Sequence, residues 1–226
     1  MKTMTLTLRV LSHLLSYPDA ELRAHLPELR EALQAERALG HGRLAELDAL
    51  MTRLRSPRTM DTESGYVEMF DRGRGTSLHL FEHVHGDSRD RGPAMVDLLK
   101  TYEQAGLFLA PGELPDYLPV LLQFASTQPP AQAVGLLREV SHILQVVFSA
   151  LLQRDSVYAT VVAALLDLAG EKAQAVKLPD EPGLDESWEE PLAFGGCSTE
   201  GQASPGQPQP IRIVKNAAHN TQGART

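Results

Sequence analysis

The densest group of chemically capable side chains in this sequence is His79, Glu82, His83 and His85, with Asp87 beside them. Imidazole binds metals, moves protons and makes hydrogen bonds near neutral pH. On a helix, His79 and His83 would stand one turn apart on one face, the spacing of a two-histidine metal site. The His-Glu-x-x-His pattern of zinc hydrolases is not met, because Glu82 precedes His83 instead of following His79. No third ligand is fixed by sequence. Three readings stay open: a polar loop whose imidazoles bond internally, a recognition site for a ligand or partner, and a metal-dependent hydrolase.

Arg72, Arg74, Arg89 and Arg91 flank that group. Guanidinium groups grip carboxylates and phosphates bidentately. Gly73 and Gly75 would let a backbone approach a phosphate, although the spacing is not that of a P-loop. The plainer expectation is a solvated loop, with ion pairs to Asp71, Asp87 and Asp90. Tyr66 and Phe70 lie one helical turn apart, as core residues or as part of a binding face. In Leu114-Pro115-Asp116-Tyr117-Leu118-Pro119 the proline suits a first helical turn, and Asp116 is placed to favour the helix dipole. Cys197 has no base or metal partner in sequence and reads as an ordinary exposed thiol. No nucleophile elbow and no dinucleotide-binding glycine pattern occurs.

The elements that must position these residues are helices. Leu6, Val10, Leu11, Leu14 and Leu15 share a helical face that Tyr17-Pro18-Asp19 ends. Leu22 and Leu26 continue one, and Pro27 is expected to begin a new turn carrying Leu29 and Leu33. After Gly40-His41-Gly42, Leu44, Leu47, Leu50, Met51 and Leu54 form the next face. Ser56-Pro57 is a cap followed by a first-turn proline, leading towards Tyr66, Val67 and Phe70. Asp71–Ser77 reads as loop, and Leu78–His85 fixes no period. Pro93 opens a helix closed by Gly106, and Leu118–Ala125 makes another. The longest periodic stretch runs from Val134 to Leu151 as one helix, and Val157–Leu168 is the last.

The expected architecture is all-α, a single compact helical bundle over 1–176. A mostly disordered Pro/Gly-rich tail is expected over 177–226. The chain has 226 residues, of which 42% are hydrophobic and 22% charged, so a real core is available and wholesale disorder is excluded. A single cysteine excludes an intrachain disulfide and any Cys-rich cluster. The formal charge of −8 argues against nucleic acid as main partner and suits a basic one. The N-terminus lacks the unbroken apolar run of a secretory signal, and no stretch reaches the roughly 20 apolar residues of a membrane span. A cytoplasmic protein without membrane insertion is the expectation.

Several stretches together resemble the NarJ-type assembly chaperones of respiratory nitrate reductase, within the wider TorD/DmsD-like group that matures molybdenum enzymes. These are Leu14-Leu15-Ser16-Tyr17-Pro18-Asp19, Tyr66-Val67-Glu68-Met69-Phe70-Asp71, the long run Ser77–Gly92, and Leu114–Pro119. The likeness covers roughly residues 4–170. In the last stretch Asp116 stands before Tyr117, where the wider group has histidine, so a role tied to that histidine is not implied here. The resemblance implies an all-helical, non-catalytic cytoplasmic chaperone. It implies binding of the N-terminal segment of the apo catalytic subunit of nitrate reductase. Insertion of the molybdenum bis(molybdopterin guanine dinucleotide) cofactor and an iron–sulfur cluster would follow, before membrane docking. No cofactor would be held permanently, contact with the molybdenum cofactor being transient, and its biosynthesis proteins are further candidate partners. The candidate client- or cofactor-binding residues are Tyr66, Phe70, Asp71, His79, Glu82, His83, His85, Arg89, Arg91, Asp116 and Tyr117. A metal-dependent hydrolase at the histidines, or a nucleotide-binding helical protein, is the alternative.

Overall fold

Short apolar faces separated by Pro, Gly and capping residues dictate short helices, and the computed structural model is built of them. It describes residues 3–56, 59–86 and 88–178. Pro57, Asp87, Cys197 and the expected tail beyond Leu178 lie outside the described residues. The described part belongs to one compact unit. Its regular structure is ten α-helices and one 3-10 turn, with a single isolated β-bridge, so the all-α expectation holds.

Helix α1 (Thr5–Leu14) buries Val10, Leu11 and Leu14 of the face read from the sequence, together with Leu8 and the adjoining Leu15, whereas Leu6 is left exposed. Its own N-cap supplies no side-chain bond; instead Glu36 accepts from the Leu6 and Thr7 N–H groups at 3.2 and 2.6 Å. Asp19 caps α2 (Ala20–Glu36) by accepting the Leu22 N–H at 2.8 Å. Pro27 begins no new element: α2 runs through it. The proline is exposed, while Leu26 and Leu33 are buried on the other side, so packing of that side holds the helix across the missing N–H. Gly40 starts α3 (His41–Leu54), which buries Leu47, Leu50, Met51 and Leu54, and α4 follows over Thr59–Phe70.

After the 3-10 turn Arg74–Thr76 come α5 (Leu80–Val84), α6 (Arg91–Gln104) and α7 (Leu118–Thr127). The long helix expected over Val134–Leu151 is instead two, α8 (Pro130–Glu139) and α9 (Ser141–Gln153), bent by 62°. Two polar side chains account for the break. The Ser141 hydroxyl donates to the Arg138 carbonyl at 2.8 Å, and His142 Nδ1 bonds the Glu139 carbonyl at 3.1 Å. They occupy acceptors that a continuous helix would fill from its backbone.

The last helix, α10 (Ala159–Ala169), is apolar nearly all round and buried, as a central helix must be. Its alanines let α8, α9 and α3 approach closely, and α1 packs against α7 and touches α10. Gly170, at φ 81°, ends α10, and the Glu171 N–H reaches back to the Leu166 carbonyl at 2.9 Å. No single helix among the described residues is long and apolar enough to cross a membrane.

Candidate functional site

The segment that sequence left without a period is organised by one pair of backbone bonds. The Leu118 N–H donates to the Leu78 carbonyl at 2.8 Å, and the Leu80 N–H to the Asp116 carbonyl at 3.0 Å. This bridge sets His79 opposite Tyr117 and delivers Asp116 to the start of α5. Asp116 is wholly buried. One carboxylate oxygen lies 3.2 Å from His79 Nδ1, and the other accepts the Phe81 N–H at 3.2 Å and faces Arg91 Nη2 at 3.6 Å. Asp116 therefore does not serve the dipole of its own helix, α7. It caps α5, a five-residue helix that has no side-chain cap of its own. A negative group beside those N–H groups, facing a guanidinium, meets the electrostatic demand of both.

The network extends both ways. Arg91 also reaches Glu82, at 3.4 Å. The His79 ring stacks on Tyr117 with centroids 5.1 Å apart. The Tyr66 hydroxyl donates to the Leu15 carbonyl at 2.8 Å, so the Tyr117 hydroxyl, 3.2 Å away, must donate to it. Tyr66 packs against Tyr17, Phe70 and Tyr158 at 5.7, 4.8 and 5.9 Å. Burial raises the Tyr66 and Tyr117 hydroxyls above the ordinary tyrosine value, keeping both as neutral donors. From the other side, the fully buried Tyr102 of α6 donates to the Pro115 carbonyl at 2.9 Å and fixes the turn that carries Asp116.

Two surface features adjoin this network. A polar cleft of about 260 Å³ is lined by Phe70, Asp71, Arg74, Ser77, Glu82 and Arg91. A groove of about 350 Å³ runs along α4, lined by Tyr17, Met60, Glu63, Ser64, Val67 and Glu68, with Arg72 at its end. Tyr17, Met60 and Val67 are exposed, at 45, 78 and 37%. Asp61, Glu63, Glu68 and Asp71 give this stretch an acidic edge. Glu63 is held by the Tyr17 hydroxyl at 3.2 Å and by Arg23 at 2.9 Å.

A family profile, nitrate reductase delta subunit, matches residues 15–164, well over half of the chain. The chain belongs to that family. Its relatives include the nitrate reductase molybdenum cofactor assembly chaperone NarJ of Escherichia coli K12, 44% identical over 80% of this chain and 81% of the relative. The probable assembly chaperone NarW of the same organism is 39% identical over 81% of this chain and 80% of its own. A solved structure of a redox enzyme maturation protein from Archaeoglobus fulgidus superposes with a TM-score of 0.55, covering 76% of this chain and 96% of that one. At 18% identity it speaks to the fold alone. The delta-subunit family is one of maturation chaperones rather than catalysts.

Against the residues read from sequence, the structure unites some and separates others. Asp116, His79, Arg91, Glu82, Tyr117 and Tyr66 form one connected network, and Phe70 packs on Tyr66. His79 and His83 do not share a helical face. His79 is extended at the start of α5, and His83 Nε2 bonds the Ser77 carbonyl at 2.9 Å. His85 packs its ring edge against Phe81. Among the described residues no three histidine, cysteine or carboxylate side chains converge as metal donors, so the hydrolase alternative gains nothing. Arg89 is exposed and outside the network. The loop ion pairs expected for Arg91 with neighbouring aspartates give way to Glu82 and the distant Asp116.

Gly73 makes room not for a phosphate but for Arg154, whose guanidinium occupies the place where a Cβ would stand. Arg154 donates to the Thr76 hydroxyl at 3.1 Å and the Met69 carbonyl at 3.4 Å, tying the loop to the end of α9. Arg154 and Tyr158 went unread as site residues. The only trace of the first in sequence was the need for glycine at 73.

Proposed function

We propose that this chain is the dedicated assembly chaperone of a respiratory nitrate reductase. It binds the N-terminal segment of the apo catalytic subunit and keeps that subunit open to its molybdenum bis(molybdopterin guanine dinucleotide) cofactor and iron–sulfur cluster. It acts in the cytoplasm, delays membrane docking until loading is done, and is absent from the finished enzyme. The observation that carries this reading is the α4 groove. Met60 and Val67 stand two turns apart, Tyr17 extends the apolar strip, and carboxylates edge it. Such a groove suits a basic amphipathic helix, whose apolar face is buried while its cations meet the acidic edge.

Tyr66 and Phe70 form the packed floor behind this strip. His79, His83, Asp116 and Tyr117 hold that floor in register. Asp71, Glu82, His85, Arg89 and Arg91 offer polar contacts beside it to the client, to the passing cofactor, or to the proteins that deliver it. The test is calorimetric titration of the full chain with a peptide from the N-terminus of a nitrate reductase catalytic subunit. Binding should be stoichiometric and weaken with salt as the Debye length falls. An apolar part should persist at high salt. Val67→Glu should weaken binding at least about tenfold without loss of helicity. A folded protein that binds no such peptide at any salt overturns the proposal.

A further inference from the structure

The strip that Met60 and Val67 form on α4 has two sides, and they differ in charge. At about 100° per residue, Glu63 falls on one side of that strip, and Glu68 and Asp61 fall on the other. Glu68 and Asp61 are exposed, and neither side chain has a hydrogen-bond or ion-pair partner among the described residues. Glu63 is held instead. Arg23 Nη1, from α2, donates to one of its oxygens at 2.9 Å, and the Tyr17 hydroxyl donates to the other at 3.2 Å. The same Arg23 nitrogen donates to the Pro18 carbonyl at 3.0 Å, which fixes the guanidinium against the connection between α1 and α2. The Arg23 side chain is 14% exposed and does not line the groove, so the cation reaches Glu63 from behind. A carboxylate and a guanidinium in contact form a dipole, whose pull on a third charge falls off faster than that of a lone carboxylate. Asp71 and Arg72, adjacent at the far end, offset each other in charge.

We propose that this groove is charged along one edge only and that Arg23 makes it so. Taken with the chaperone reading, on which it rests, this makes the client segment an amphipathic helix with cations along a single flank of its apolar face. That flank meets Asp61 and Glu68. The other flank is uncharged and lies against Tyr17 and the paired Glu63. A helix turned end for end on the same apolar face would put its cations on the wrong side. One-sided charge therefore fixes the direction in which the segment lies as well as its sequence class. A cation on the second flank gains nothing at Glu63 unless it displaces Arg23, and it loses water in doing so.

The probes are two helical model peptides of one composition, each with leucines on one face. In one, all the lysines stand along a single flank; in the other, they are shared between both flanks. Each is titrated calorimetrically into the full chain, beside the catalytic-subunit peptide. The one-flank peptide should bind wild type about threefold more tightly than the two-flank peptide. Arg23→Gln, which frees the Glu63 carboxylate and opens a second acidic edge, should bring the two to equal affinity by strengthening the two-flank peptide. Arg23→Lys keeps a cation in place and should retain the preference. So should Arg23→Gln combined with Glu63→Gln, which leaves that edge neutral. Glu68→Gln should shrink the preference from the opposite edge. The pair is partly exposed, so its loss leaves the fold intact, as circular dichroism of each variant will check. If the catalytic-subunit peptide binds but wild type takes both model peptides equally, or Arg23→Gln leaves the preference unchanged, this inference falls and the chaperone reading stands. If none of the three peptides binds, both fall.

Discussion

Replacing Asp116 by asparagine keeps the shape of the side chain and removes its charge, so it isolates what the buried carboxylate does. In the native protein its two oxygens serve His79 Nδ1 and the Phe81 N–H, each at 3.2 Å, and face Arg91 at 3.6 Å. An amide can keep one of these bonds through its oxygen. Its nitrogen is a donor: turned to Phe81 and Arg91 it faces donors, and turned to His79 it is matched only if that ring moves its proton from Nδ1 to Nε2. A hydrogen bond to a charged group contributes about 1.5–3 kcal/mol, and a buried donor left unpaired costs about 1 kcal/mol or more. The Arg91 side chain is 27% exposed, and solvent screening holds its share below about 1 kcal/mol. The expected loss is about 3 kcal/mol. For a chain of this length that lowers the midpoint by roughly 6–12 °C. Urea unfolding followed by circular dichroism measures the first quantity, and a thermal melt the second. Arg91→Gln should cost about 1 kcal/mol or less. If Asp116→Asn unfolds within 0.5 kcal/mol of wild type (about the scatter among inert surface changes), the carboxylate is no hub. If Arg91→Gln is equally damaging, the ion pair and not the capping bond dominates.

Three further outcomes follow from the structure. Glu36→Ala should lower stability by about 1–2 kcal/mol in urea unfolding, the range for losing a helix cap, whereas Glu36→Gln, which retains an acceptor, should lose less. Gly73→Ala should destabilise by about 1–2 kcal/mol by displacing the Arg154 guanidinium. A double-mutant cycle with Arg154→Ala should show that this penalty disappears once the arginine is gone. Burial raises Tyr66, Tyr102 and Tyr158 above the ordinary value of 10.0. A raised tyrosine favours the folded state fully below the unfolded value, and that contribution is lost as pH rises beyond it. Tyrosinate absorbance from these three should therefore appear only together with loss of the helical signal in an alkaline titration.

What sequence made legible was whatever a local pattern encodes. The end of α1 before Tyr17-Pro18-Asp19, the Gly40 break and the helical character of Leu118–Ala125 are all set within a turn or two of chain. The double helix α8–α9 escaped notice because apolar spacing persists through Val140, while the break is made by Ser141 and His142, residues that also occur on exposed helix faces. Asp116 was legible as important and illegible in role. The backbone N–H it caps lies 35 residues away, and no short-range pattern joins them. The histidine run misled through periodicity: a helical spacing at 79 and 83 means nothing once His79 is extended. Tyr158 could not have been found, because what distinguishes it is the absence of a partner, which only the fold reveals.

The position of α1 has a consequence during synthesis. This helix leaves the ribosome before the others described and can pack on α2 early, yet the helix it packs against most is α7, which ends at Thr127, and α10, which it touches, ends at Ala169. At about 5–20 residues per second, the leucines of α1 wait roughly 8–30 seconds for the last of their covering. Until α7 emerges the nascent chain carries an apolar helix with only α2 to lie on, capped once Glu36 has emerged. An assembly chaperone would thus have a partly unshielded early segment of its own. Slowing translation between codons 36 and 118 should then lower its soluble yield more than the same delay placed after 169.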